Sequence, residues 1–182
     1  MRMSVQEADL NWPAAEFDEV AIPDRLAVLD RMSRYSWAID AGNLQDYLAC
    51  FTEDAVLRHP LRDGSPGEFR GHEGIASFIG KGFQNRSSQT YAHQHHFSAV
   101  LMKPEGEDIH VKAHATIFRH ELQRQYWPRG PAFRMGSWYA AFARAERGWK
   151  IREINVRMWT DSVFGIGTAY LDRGPGMPGL RE

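Results

Sequence analysis

After Pro23, apolar residues recur at helical spacing, and Leu26, Leu29, Met32, Trp37 and Ile39 form a stripe that predicts a first long helix. Asp24 is placed to cap its start and to meet the positive end of its dipole, and Gly42 is a natural stop just past its end. Asn43 can cap a second, shorter helix over 44–51, where Leu44, Tyr47, Leu48 and Phe51 keep helical spacing. Ala55-Val-Leu-Arg-His reads as a strand. Residues 60–71 hold two prolines and three glycines and predict a loop. Ile75, Phe78 and Ile79 mark a third helix over 72–83.

From there the pattern changes to strands, over 90–102, 109–125, 133–145 and 149–160. Lys103-Pro-Glu-Gly-Glu-Asp and Glu146-Arg-Gly separate them as turns, which suits antiparallel hairpins. Helices first and long antiparallel strands afterwards make an α+β chain whose helices pack on one face of the sheet. A long curved sheet of four to six strands, cupped against helices, encloses a pocket.

Histidines punctuate those strands. His110, Lys112, His114, Thr116, Phe118 and His120 share one face of their strand, and Val111, Ala113, Ala115 and Ile117 share the other. Phe118 and His120 are expected at a pocket end of the first face, with His110 and Lys112 in solvent. His93 and His95 share a face, and His96 points the other way. Period alone does not choose which of these faces the pocket. His93 and His95 at i, i+2 have a spacing that can hold a metal ion, but no matching carboxylate or cysteine motif accompanies them. Trp37, Phe51, Phe78 and Phe97 are expected in the core, and Cys50, between apolar neighbours, is expected to pack rather than react.

Composition narrows the classes. A chain of 182 residues, 43% of them hydrophobic, is one globular domain with decorated ends rather than two domains or a disordered chain. The expected boundaries are an arm over 1–22, a domain over 23–162 and a flexible Gly/Pro-rich tail over 163–182. No apolar run approaches a membrane span, the start lacks the apolar stretch of a signal peptide, and one cysteine gives no internal disulfide. The cytoplasm is the expected compartment. A net charge of −1 offers no long-range attraction for nucleic acid or an anionic membrane. There is no Gly-rich phosphate loop, nucleophile elbow or zinc ribbon. Eight histidines, six of them between His93 and His120 and interleaved with aromatics, point to a small-molecule site instead.

The stretch from Arg34-Tyr-Ser-Trp-Ala-Ile-Asp through Phe51-Thr-Glu-Asp-Ala-Val-Leu, with Phe69-Arg-Gly-His-Glu-Gly-Ile and Arg147-Gly-Trp-Lys-Ile, resembles the nuclear transport factor 2-like superfamily. The likeness is to its SnoaL-like and scytalone dehydratase-like branch and covers residues 24–160. It implies a cone-shaped α+β barrel, a curved, mostly antiparallel sheet wrapped on three N-terminal helices. Carried over residue by residue, it implies catalytic roles for Asp40, His96, His120 and Tyr35. His59 falls at a substrate-facing tyrosine of scytalone dehydratase. Phe118 and Trp138 are candidate substrate contacts.

The resemblance further implies a lyase that needs no metal or organic cofactor, a dehydratase or a retro-aldol-type carbon–carbon lyase. Its substrate would be a hydroxylated aromatic or polycyclic small molecule, such as a lignin-derived diarylpropane. Ketosteroid-type isomerisation is a further enzyme option. The alternative of a different class is a non-catalytic subunit resembling the β chain of ring-hydroxylating dioxygenases, or a small-ligand-binding protein. Relatives of the scytalone dehydratase type imply a homotrimer, with a dimer as the second choice. In the implied site, Asp40 pairs with His120, and His96 faces them across the pocket.

Overall fold

The computed structural model describes residues 20–61, 65–87, 91–121 and 132–158. Residues 1–19 of the expected arm, the whole expected tail, and Trp127 and Trp159 lie outside the described residues, as do the side chains of Phe133 and His120, whereas Ile22, expected in the arm, opens the first helix. Helices α1 (Ile22–Ala41) and α2 (Leu44–Ala49) lead into β1 (Phe51–Pro60) and β2 (Pro66–Arg70). Helix α3 (Gly71–Ser87) then precedes β3 (Tyr91–Glu105), β4 (Asp108–Glu121), β5 (Ala132–Ala145) and β6 (Gly148–Met158). The six strands form one sheet in the order β2-β1-β6-β5-β4-β3, antiparallel except for the β1/β6 pair. Among the described residues, no helix is long and apolar enough to cross a membrane.

The expected loop over 60–71 contains β2, which pairs with β1 from Val56↔Arg70 to Pro60↔Pro66. Proline and glycine are tolerated there because β2 is an edge strand and Pro66 is its first residue.

Helix α1 buries Val28, Met32, Tyr35 and Ile39, a run at i, i+4, i+7 and i+11. The stripe expected from sequence mixes two faces. Met32 and Ile39 are core, whereas Leu26 is 61% exposed and Trp37 is 79% exposed, contrary to its expected place in the core. The start of α1 differs as well. Ala21 is the N-cap, without a side-chain hydrogen bond, and Asp24 sits inside the first turn. There its Oδ1 accepts the Trp149 indole N–H at 2.9 Å and an Arg144 N–H at 2.8 Å, tying α1 to the β5–β6 hairpin. The end is as expected: Gly42 has φ 68°, the left-handed region, and its amide returns to the last turn. Asn43 caps α2 by accepting the Asp46 N–H at 3.1 Å.

On the helix-bearing face of the sheet, Val111 and Ala113 of β4, Trp138, Ala140 and Phe142 of β5, and Ile151 and Ile154 of β6 are buried. The large rings of Tyr35 and Trp138 meet there, with their centroids 5.7 Å apart. The opposite face of β4 departs from expectation at one end: His110 is 4% exposed rather than in solvent. Glu105, Asp108, Lys103 and Arg152 surround it, and Arg152 donates to Asp108 at 2.5 Å.

Candidate active site

Asp40 occupies the last turn of α1, where the helix dipole disfavours a carboxylate. It is held by β3 instead. Its Oδ1 accepts from His95 Nδ1 at 2.5 Å, and its Oδ2 accepts the His95 backbone N–H at 2.9 Å. The side chains are only 18% and 11% exposed, so each needs the other as a partner. A carboxylate can only accept, so the proton between them sits on Nδ1, and in the neutral imidazole Nε2 is then the ring's proton acceptor.

The pair lies in the wall of a groove of about 550 Å³ between α1 and β3. Leu29, Met32, Ser36 and Trp37 line it from the helix, and residues 93–97 with Val100 line it from the strand. Five consecutive strand residues of both parities line it because β3 is last in the sheet order and the groove runs along its free edge. The lining surface is mostly apolar and, among the described residues, carries no lysine or arginine.

The structure places the predicted site residues other than the His120 side chain. Asp40 and His96 both line the groove, but His96 is exposed on the face opposite His95, with its ring edge-on to Phe118 at 5.4 Å. Phe118 therefore belongs to the outer face, away from Phe97 and the core. Tyr35 is buried beneath the groove. Its hydroxyl accepts from Tyr47 at 3.4 Å, and its ring packs on Phe51, Phe97 and Trp138. Trp138 is buried against Phe97 and Phe142, and its indole N–H has no partner among the described residues. His59 is on β1, with Nδ1 bonded to the Pro60 carbonyl at 2.7 Å and its ring 5.3 Å from Phe78. It does not line the groove.

Asp40 bonds His95 through both carboxylate oxygens, and the His120 side chain, its expected partner, lies outside the described residues. The His120 backbone pairs with Ala92, next to groove-lining His93. Sequence spacing leaves His95 and His96 as equal choices. The parity of Phe97, which packs on Tyr35 and Trp138, is the signal that selects His95 for the helix-bearing face. Ser36 and Trp37 as groove residues have no distinguishing mark in the sequence.

Cys50 is buried, with its thiol bonded to the Asp46 carbonyl at 3.4 Å. Burial pushes this thiol up, against the opposing pull of Arg31. Desolvation likewise holds the His110 imidazole below its ordinary value, although Glu105 and Asp108 act the other way.

A family model described as a SnoaL-like domain matches residues 20–155 of the chain. No curated protein matches it. Among solved structures it is similar to a Novosphingobium aromaticivorans protein described as an aromatic ring hydroxylase, at 25% identity and a TM-score of 0.59. That match covers 77% of this chain and 92% of the other. A protein of the same organism described as a scytalone dehydratase matches at 14% identity and a TM-score of 0.61, over 75% and 85% of the two chains. The β subunit of benzoate 1,2-dioxygenase from Burkholderia mallei matches at 18% identity and a TM-score of 0.61, over 78% and 92%. The last two likenesses bear on the fold alone.

Proposed function

The chain belongs to the SnoaL-like domain family, and from that premise we propose that it is a cofactor-independent lyase acting by His/Asp acid–base catalysis on a hydroxylated aromatic small molecule. The observation that carries this is the Asp40–His95 pair in the wall of a largely apolar groove. Dehydration is the reaction it suits best. His95 Nε2 takes a proton from the carbon beside a ring carbonyl, and the Asp40 carboxylate steadies the imidazolium that forms. The electron pair forms the new carbon–carbon double bond as the β-hydroxyl departs, and the proton goes with it as water. Retro-aldol cleavage uses the same base on the hydroxyl proton.

In this assignment His95 takes the role the family resemblance gives to His96. The His95 imidazolium returns the proton to the leaving oxygen. Tyr35 supports the groove from below. A homotrimer is the assembly we adopt, and light scattering of the purified protein at three times the chain mass tests it.

The direct test uses 3-hydroxy-1-tetralone, which loses water to give 1-naphthol, followed by its fluorescence. Turnover by metal-stripped protein, lost in Asp40→Asn, is the expected result. Failure to release water from this compound and from a panel of aromatic β-hydroxy ketones, together with recovery of an oxygenase α chain in a tagged pull-down, would overturn it. The second outcome is the one that the dioxygenase β-subunit fold makes worth checking.

A further inference from the structure

Asp40 and His95 are one rung of a longer correspondence between α1 and the free edge of β3. The His95 N–H turns to that edge, since it donates to Asp40 on α1. In an antiparallel ladder the N–H and C=O of one residue face the same side, and residues two apart repeat it. The Phe97 backbone therefore also faces the free edge, ahead of the register shift between Ser98 and Leu101. Four residues of helix advance about 6 Å and two residues of strand advance about 6.6 Å. From Asp40 that step leads to Ser36, and from His95 it leads to Phe97. The two elements run antiparallel here: Tyr35, beside Ser36, packs on the Phe97 ring at 6.0 Å, and Met32 lines the groove together with Val100.

At this next rung the Ser36 hydroxyl is left open among the described residues, opposite the edge to which parity turns the Phe97 amide. The Ser33 hydroxyl donates to the Leu29 carbonyl at 2.9 Å, whereas the Ser36 hydroxyl lines the groove with no hydrogen-bond partner among the described residues. Serine is shorter than aspartate and does not close the gap that Asp40 closes. Around them stand Met32, Trp37 and Val100, and among the described residues no lysine or arginine lines the groove to receive a carboxylate or a phosphate.

We propose that the Ser36 hydroxyl and the Phe97 backbone amide form a subsite for one oxygen of a neutral ring compound, a phenolic hydroxyl or a ring carbonyl, seated one rung from His95. This deepens the proposed function and rests on the same groove being the substrate site. It assigns a polar anchor that holds the ring oxygen while the reacting carbon lies by His95.

The test is equilibrium binding followed by amide resonances of the full chain, with 2-naphthol and naphthalene as probes, so that it requires no turnover. The expected result is that both probes shift groove resonances, and that 2-naphthol binds about fivefold tighter, the worth of one net hydrogen bond. Only 2-naphthol moves the Phe97 amide strongly. Ser36→Ala brings the two affinities together without weakening naphthalene, and Ser36→Thr keeps the preference. Equal binding of the two probes by wild type, a preference unchanged in Ser36→Ala, or no binding of either probe overturns the subsite. Loss of turnover in Asp40→Asn is read separately, so the subsite and the lyase assignment fail independently.

Discussion

The Asp40 carboxylate holds His95 at two points, taking the ring N–H at 2.5 Å and the backbone N–H of the same residue at 2.9 Å. The second contact matters as much as the first. It fixes the strand edge on which the imidazole stands, so the ring has both its tautomer and its position set by one side chain from a different element.

Asp40→Asn leaves an amide whose NH₂ meets a donor, so the expected effect is a loss of at least about 10²-fold in kcat with the fold retained. His95→Ala is expected to lose as much. The double variant should lose little more than either single one, since the two act as a unit. Steady-state kinetics on the true substrate, beside melting curves, check this. Asp40→Asn keeping more than about a third of wild-type kcat would remove Asp40 from the chemistry.

How much of this was legible in the sequence differs by element. The order of helices and long antiparallel strands follows from a change in period and from Gly42, Asn43 and the turn residues, all local signals. Strand β2 is hidden because an edge strand can be built from residues that elsewhere mean loop. Asp40 is readable from the family pattern, but its partner is not. Choosing His95 over its neighbour requires knowing which parity of β3 meets α1, and that is set by Phe97 packing on Tyr35 and Trp138 across the sheet. His110 is similar: alternation puts it with Lys112, yet its burial depends on Arg152 and Asp108 from β6 and the strand's own start.

Met32 and Trp37 have equal standing in the sequence stripe and opposite fates in the fold, 3% against 79% exposed. Met32→Ala is expected to cost about 2–5 kcal/mol, as for a core truncation. Trp37→Ala is expected to change stability by less than about 0.5 kcal/mol. Because Trp37 lines the groove, its loss should raise KM for an aromatic substrate severalfold. Urea unfolding of both variants decides the first contrast, and a Trp37→Ala protein as unstable as Met32→Ala would place the indole in a packed environment.

Burial favours the neutral form of His110, so the folded protein binds a proton there less readily than the unfolded chain. The sign follows from linkage. This contribution is fully present above the ring's ordinary value of 6.5 and declines as pH falls through it towards the lower folded value. Glu105 and Asp108 oppose the effect, while Lys103 and Arg152 add to it. Denaturation at pH 7.5, 6.5 and 5.5 should therefore show wild type losing more stability on acidification than His110→Gln. Parallel curves would mean that this histidine does not titrate differently in the two states.

The thiol of Cys50 is the one nucleophile of its kind in the chain, and its surroundings argue that it stays unused. It is 1% exposed, bonded to the Asp46 carbonyl one turn earlier, and pushed up by burial despite Arg31 nearby. Thiol reagents attack the thiolate, so both its protonation and its access work against reaction until the helix pair opens. Labelling with a chromogenic disulfide at pH 8 is expected to run at least about a hundredfold slower in the native protein than in denaturant. Cys50→Ala should leave kcat within a factor of two while costing some stability through the small void it creates. Rapid native labelling, or lost activity in Cys50→Ala with the fold intact, would bring the thiol into the site and displace His95 as the group that begins the reaction.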